Sequence, residues 1–235
     1  MIPRAKGPSL SDQTPQQPRR DAFVFPRWTN AVRLPLTVVG ALAPLYVLGM
    51  LYLVFAPGTT GVGYRPEQPV PYSHRLHAGE LGIDCRYCHT GAETGPAAAV
   101  PPTRTCMNCH ATVRTESDKL ALVRESAATG RPIPWVRVHD LPDFVYFDHS
   151  AHVTRGIGCE SCHGRVDRMD VVTQRRGLNM AWCLGCHRHP ERELRPRDRV
   201  TEMGYVPEGD RLELGRRLRE QYDINPSTDC STCHR

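Results

Sequence analysis

Two cysteines two residues apart, followed at once by histidine, recur five times along this chain: Cys85/Cys88/His89, Cys106/Cys109/His110, Cys159/Cys162/His163, Cys183/Cys186/His187 and Cys230/Cys233/His234. These motifs use all ten cysteines. With 11 histidines in 235 residues, one would follow a given cysteine pair by chance in roughly one case in twenty, so five coincidences are not credible. The spacing is the attachment signature of a c-type haem. Two thiols bond the two vinyl groups of the macrocycle, and the adjacent imidazole reaches the iron as proximal ligand. Zinc would need sets of four ligands, and ten cysteines with five adjacent histidines do not partition naturally into such sets. Local disulfides suit an oxidising compartment but give no reason for the histidines.

Five covalently bound haems also account for a composition that is thin for an ordinary core, with 40% apolar residues and only 7% aromatics. The expected fold is a mainly irregular, short α-helical multihaem cytochrome domain built around its cofactors, on a single N-terminal transmembrane helix. The chain without haem is then not stably folded, as in small metal-built domains. Of the net charge of +5, residues 1–33 hold +4, which leaves +1 for the rest. Two propionates per haem would make the loaded domain acidic, which excludes nucleic acid as a partner.

Residues 1–33 are polar, basic and rich in Pro and Gln, without a helical or strand period, and read as a tail. Residues 34–56 contain no Asp, Glu, Lys, Arg or His, and a run of this length crosses a bilayer, which takes about 20 residues. A cleavable signal peptide is the rival, but its apolar region is usually only about 7–15 residues long, and Pro57 after Ala56 makes a poor cleavage site. The helix reads as an anchor with its basic tail in the cytoplasm, and the haem domain, 72–235, on the periplasmic side of a bacterial inner membrane. Residues 57–71, rich in Gly and Pro, read as a linker. Helical spacing marks two scaffold segments, Thr115 to Ala128, opened by a capping-box-like Thr115-x-x-Asp118, and Asp210 to Tyr222.

From Tyr72 onward the chain is duplicated. Tyr72-Ser73-His74-x-x-His77 recurs as Phe147-Asp148-His149-x-x-His152, and Gly82-Ile83-Asp84-Cys85 recurs as Gly156-Ile157-Gly158-Cys159. The unit is two haems plus a His-x-x-His donor, with the Cys230/Cys233 haem outside it. Five proximal histidines leave His74, His77, His139, His149, His152 and His189. The duplication supports His74, His77, His149 and His152 as distal ligands, and His139 is the fifth candidate. Met180 competes for a distal place, where a thioether would raise the haem's potential, against the plainer reading of a core methionine. If all five irons are six-coordinate, none is open to substrate and the protein transfers electrons rather than making bonds. The rival is a self-sufficient quinol dehydrogenase, or a reductase with one open haem.

Several stretches, namely the anchor, the run from His74 to His89, Cys106-Met107-Asn108-Cys109-His110, Arg137 to Phe147, and Trp182 to Arg188, together resemble the pentahaem cytochrome subunit of bacterial alternative complex III. The His-x-x-His device is also similar to that of class III multihaem cytochromes. The resemblance implies an electron-transfer subunit of a respiratory membrane complex that oxidises quinol. Its partners would be a polytopic quinol-binding subunit, an iron–sulfur subunit, and a monohaem cytochrome or soluble acceptor. It also implies that His74 serves the Cys85/Cys88 haem and His149 the Cys159/Cys162 haem, while His77 and His152 cross to neighbours.

Overall fold

The computed structural model describes residues 25–234. Of the tail expected over 1–33, residues 1–24 therefore lie outside the described residues. The chain divides into two compact units, Met1–Leu51 and Tyr52–Arg235. Among the described residues the fold is mostly helical and has no strand, only isolated antiparallel bridges between Val145 and His234 and between Ile157 and Leu194.

One long helix, Trp28–Phe55, dominates the described part of the first unit; it is long and apolar enough to cross a membrane, and none of its residues is buried. At about 1.5 Å per residue its 28 residues exceed a hydrocarbon core of about 30 Å. It begins six residues before the apolar run expected over 34–56, because nothing between Trp28 and Arg33 breaks a helix. Pro35 and Pro44 lie inside it, each removing one backbone donor.

The second unit is built from short pieces. The expected helix over 115–128 is a 3₁₀ turn, Asp118–Leu120, running into a helix at Ala121–Thr129. Thr115 does not cap it; its carbonyl instead accepts a 2.8 Å hydrogen bond from Arg124 Nη1. The helix stops at Gly130, whose φ of +72° is the left-handed conformation that favours glycine. Asp210 caps the helix Arg211–Gln221 by accepting from the Glu213 N–H at 2.8 Å.

The stretch read as a linker, 57–71, is docked rather than free. Gly63 N donates to the Gln174 carbonyl at 2.9 Å and Gln174 N to the Tyr64 carbonyl at 3.0 Å. The Gln68 amide exchanges two hydrogen bonds with the backbone of Val136. Val70 is buried with Val123 and Ile133. Gly and Pro mark where regular structure stops, but they do not say whether the extended backbone finds partners.

Buried hydrophobic clusters are small: Val70, Val123 and Ile133 in one, Leu194, Leu218 and Ile224 in another. The interior between them is occupied by space, not side chains.

Candidate haem sites

That space is a cavity of about 3080 Å³, several times the roughly 300–1,000 Å³ of a small-molecule pocket. All 11 histidines of the chain line it, as does every cysteine except Cys230. The ten cysteines are unbridged, and among the described residues no three His, Cys, Asp or Glu side chains gather as a metal-ion site. Burial pushes the Cys162 thiol up to about 12 and the Cys186 thiol up to about 11, so neither is a ready thiolate ligand.

Each attachment motif lies on a turn of helix, which puts residues three and four apart on one face. The turns are Cys85–Cys88, the end of Thr103–His110, Cys159–His163, the end of Met180–Arg188, and Cys230–Cys233. Side chains cap three of the short helices that matter here. Asp84 accepts from the Arg86 N–H at 2.8 Å, Asp148 from the Ala151 N–H at 3.2 Å, and Asn179 from the Trp182 N–H at 3.0 Å. In the duplicated turn, Gly82 and Gly156 both have positive φ, +67° and +88°, so both copies use the conformation that favours glycine. Gly158 replaces the capping Asp84 in the second copy because the buried Arg195 guanidinium occupies the space of any Cβ there.

The histidines face one another in pairs. His74 and His89 have ring centroids 6.4 Å apart and nearly parallel planes, at 2°, and His149 and His163 are 6.3 Å apart at 11°. His77 and His110 are 6.3 Å apart at 66°, and His152 and His187 are 6.2 Å apart at 45°. A metal–imidazole bond is about 2 Å long, so two rings ligating one iron from opposite sides have centroids roughly 6 Å apart. All four pairs meet that spacing, and the two copies of the duplication match, with the first pair parallel and the second twisted.

Hydrogen bonds leave the correct nitrogen free. The Nδ1 atoms of His77, His89 and His110 lie 2.8, 2.7 and 3.0 Å from the carbonyls of Ser73, Ala99 and Val113. Those of His149, His152 and His187 lie 2.8, 2.7 and 2.6 Å from the carbonyls of Pro96, Asp148 and Ser227. A carbonyl only accepts, so Nδ1 carries the proton and the lone pair is on Nε2, as an oriented metal ligand requires. Burial beside His89 and His77 lowers His74 to about 4, and burial beside His139 and His149 lowers His163 to about 3. Both imidazoles are therefore neutral at pH 7.

Sequence reasoning did not single out the aromatic brackets on these donors. Tyr72 stacks on His77 at 4.4 Å and meets His74 edge-on at 4.8 Å. Phe147 does the same to His152 at 4.6 Å and His149 at 4.9 Å. The signal was present as an aromatic two residues before each His-x-x-His.

The fifth motif has a different neighbour. His234 Nε2 lies 3.1 Å from Met180 Sδ, with Phe144 tilted against the imidazole at 5.8 Å. Tyr146 N donates to the Cys233 carbonyl at 2.8 Å, holding the motif near the chain end in place. His139 is elsewhere: its ring is edge-on to His163 at 4.4 Å, too close for both to ligate one iron. Its Nε2 is buried without a partner. His189 pairs with Glu191 at 3.4 Å and is half exposed. The residues present therefore fit haem in four imidazole pairs, while Met180 Sδ and His234 Nε2, 3.1 Å apart, stand closer than the roughly 4.3 Å that bonds of about 2.0 and 2.3 Å to one iron would span.

A family model described as cytochrome c7 and related cytochrome c matches residues 145–235. The chain is 32% identical over 127 residues to the multihaem cytochrome c subunit of a menaquinone reductase from Nitratidesulfovibrio vulgaris strain Hildenborough. That similarity covers 53% of this chain and spans 60% of the relative's length. The C-terminal part of the chain is thus similar to cytochrome c7, and the chain shares similarity with a multihaem cytochrome c subunit.

Proposed function

We propose that residues 72–235 hold five c-type haems through the ten cysteines and pass electrons through them as a subunit of a membrane quinol:acceptor oxidoreductase. The observation that carries this reading is the set of four facing imidazole pairs, at 6.2–6.4 Å between centroids. In it His89 and His74, His110 and His77, His163 and His149, and His187 and His152 each hold one iron, while Met180 rather than His139 is the partner of His234, its sulfur and Nε2 parting by roughly 1 Å to admit an iron. Bound haem iron supplies reversible one-electron transfer. The chain's own residues fix the ligand rings, exclude a seventh group and set each site's polarity. With both faces of every iron taken, small-molecule chemistry has no open position, which disfavours a self-sufficient reductase.

The relative's name supports a quinone-linked complex. The resemblance to alternative complex III refines this to a polytopic quinol-binding subunit, an iron–sulfur subunit and a monohaem cytochrome as partners. A single helix without Asp, Glu, Lys, Arg or His over 34–56 serves as an anchor rather than as a quinol pocket. The basic tail stays cytoplasmic by the positive-inside rule, which puts the haem domain on the periplasmic face.

The test is gentle detergent extraction of the native protein, followed by intact mass, haem quantitation and identification of co-purifying subunits. The expected result is five haems per chain, entirely low-spin iron and quinone-linked partners. A smaller haem count, or carbon monoxide binding by the native reduced protein, would overturn the ligand scheme.

A further inference from the structure

We infer that this chain sets its five irons in single file in the order His110, His89, His163, His187, His234, which is not the order of the motifs in the sequence. The inference rests on the five-haem reading above and extends it from ligation to path.

Three of the four links follow from segments that serve two irons at once. His74 and His77 stand on one turn and face His89 and His110, so those two sites adjoin. His149 and His152 stand on the helix His149–Val153 and face His163 and His187, so those adjoin as well. Met180 opens the helix that ends beside His187, and its sulfur faces His234. His187 also donates from Nδ1 to the Ser227 carbonyl, just ahead of the fifth motif, at 2.6 Å.

The fourth link joins the two copies of the duplication, and it is reciprocal. In the first copy, Arg75 N donates to the Met169 carbonyl at 3.0 Å and Ser73 Oγ to Asp170 at 2.7 Å. Both acceptors lie just after the His163 motif. In the second copy, His149 N donates to the Pro96 carbonyl and Ser150 N to the Gly95 carbonyl, each at 3.1 Å. Both of those lie just after the His89 motif. Each donor turn therefore leans on the tail of the other copy's first motif, and the two first sites meet head to head. The second site of each copy is pushed outward, and only the His187 side is extended by the fifth motif.

With haem iron in these sites, one electron would move between neighbours in the file, with no proton transferred and no bond made or broken. It is supplied by a one-electron donor of the iron–sulfur or quinol class at the His110 end and taken by a one-electron acceptor at the His234 end. A thioether on a His234 iron would raise its potential and draw electrons to that end.

Iron positions in the holoprotein, located by anomalous scattering at the iron edge, test the order directly. The expected map has the His89 and His163 irons as nearest neighbours at the centre, with the His110 and His234 irons at opposite ends. Five irons in any other sequence overturn the inference while leaving the ligand scheme standing; fewer than five overturn the scheme itself. A haem-resolved redox titration of Met180→His supplies a second readout. Lowering the terminal potential keeps that iron oxidised longer, so the His187 iron, its neighbour, shifts upward most and the His110 iron does not move. A response at His110 equal to that at His187 contradicts the order.

Discussion

Met180 Sδ sits 3.1 Å from His234 Nε2, on a helix whose other end carries His187. The thioether contacts His234, whereas His139 is packed against His163. Met180→Ala should leave five attached haems and turn one high-spin. Met180→His should keep all five low-spin and lower one midpoint by on the order of 100 mV, a modest part of the roughly 0.8 V that axial ligands command. Loss of the weak red charge-transfer band of thioether-ligated ferric haem, read beside the titration, identifies the iron affected.

His77 and His110 form a twisted pair 6.3 Å apart, and the Ser73 carbonyl orients His77 through Nδ1. His77→Ala should therefore keep five thioether-bound haems by intact mass and convert one iron to high spin, with carbon monoxide now binding the reduced protein. His139→Ala, by contrast, should leave every iron low-spin. Electron paramagnetic resonance of the two variants side by side separates a ligand from a neighbour of ligands.

The attachment motifs and the His-x-x-His donors are legible in the sequence because their spacing is local. Cysteines three apart and a histidine four apart share one face of a helical turn whatever surrounds them. The duplication marks the four His-x-x-His histidines, proposed above as distal donors, as well. His139 and Met180 are different, since each stands alone and only long-range packing decides which of them reaches His234. The docking of residues 57–71 was hidden for the same reason: the partners of Gly63 and Gln68 are Gln174 and Val136, more than 60 residues away.

Asp84 offers a test of acid sensitivity. Arg86 and the Thr201 hydroxyl hydrogen-bond its carboxylate and hold it down at about 2, below the roughly 3.9 of an unfolded chain. A depressed carboxylate contributes stability that is fully present above about pH 4 and is lost as pH falls toward 2. The pair is half exposed, so solvent screening keeps the contribution to at most about 1 kcal/mol. Asp84→Asn should thus be the less stable protein at pH 7 and match the parent at pH 2. Unfolding of both, followed by visible circular dichroism across that range, measures the difference.

Removing the cofactor should remove the fold. The cavity of about 3080 Å³ is lined by Leu76, Leu81, Tyr87 and Val100, all more than 40% exposed without a cofactor. Each leaves apolar surface in water that burial would stabilise by about 25 cal/mol per Å². The two small clusters around Val123 and Leu194 are too few to offset the entropy of ordering a chain of this length. Protein made without haem attachment should therefore show little cooperative thermal transition by far-ultraviolet circular dichroism and be cleaved by protease throughout residues 72–234, whereas the holoprotein resists. An apoprotein that unfolds cooperatively and resists protease would mean that side chains alone suffice for the interior.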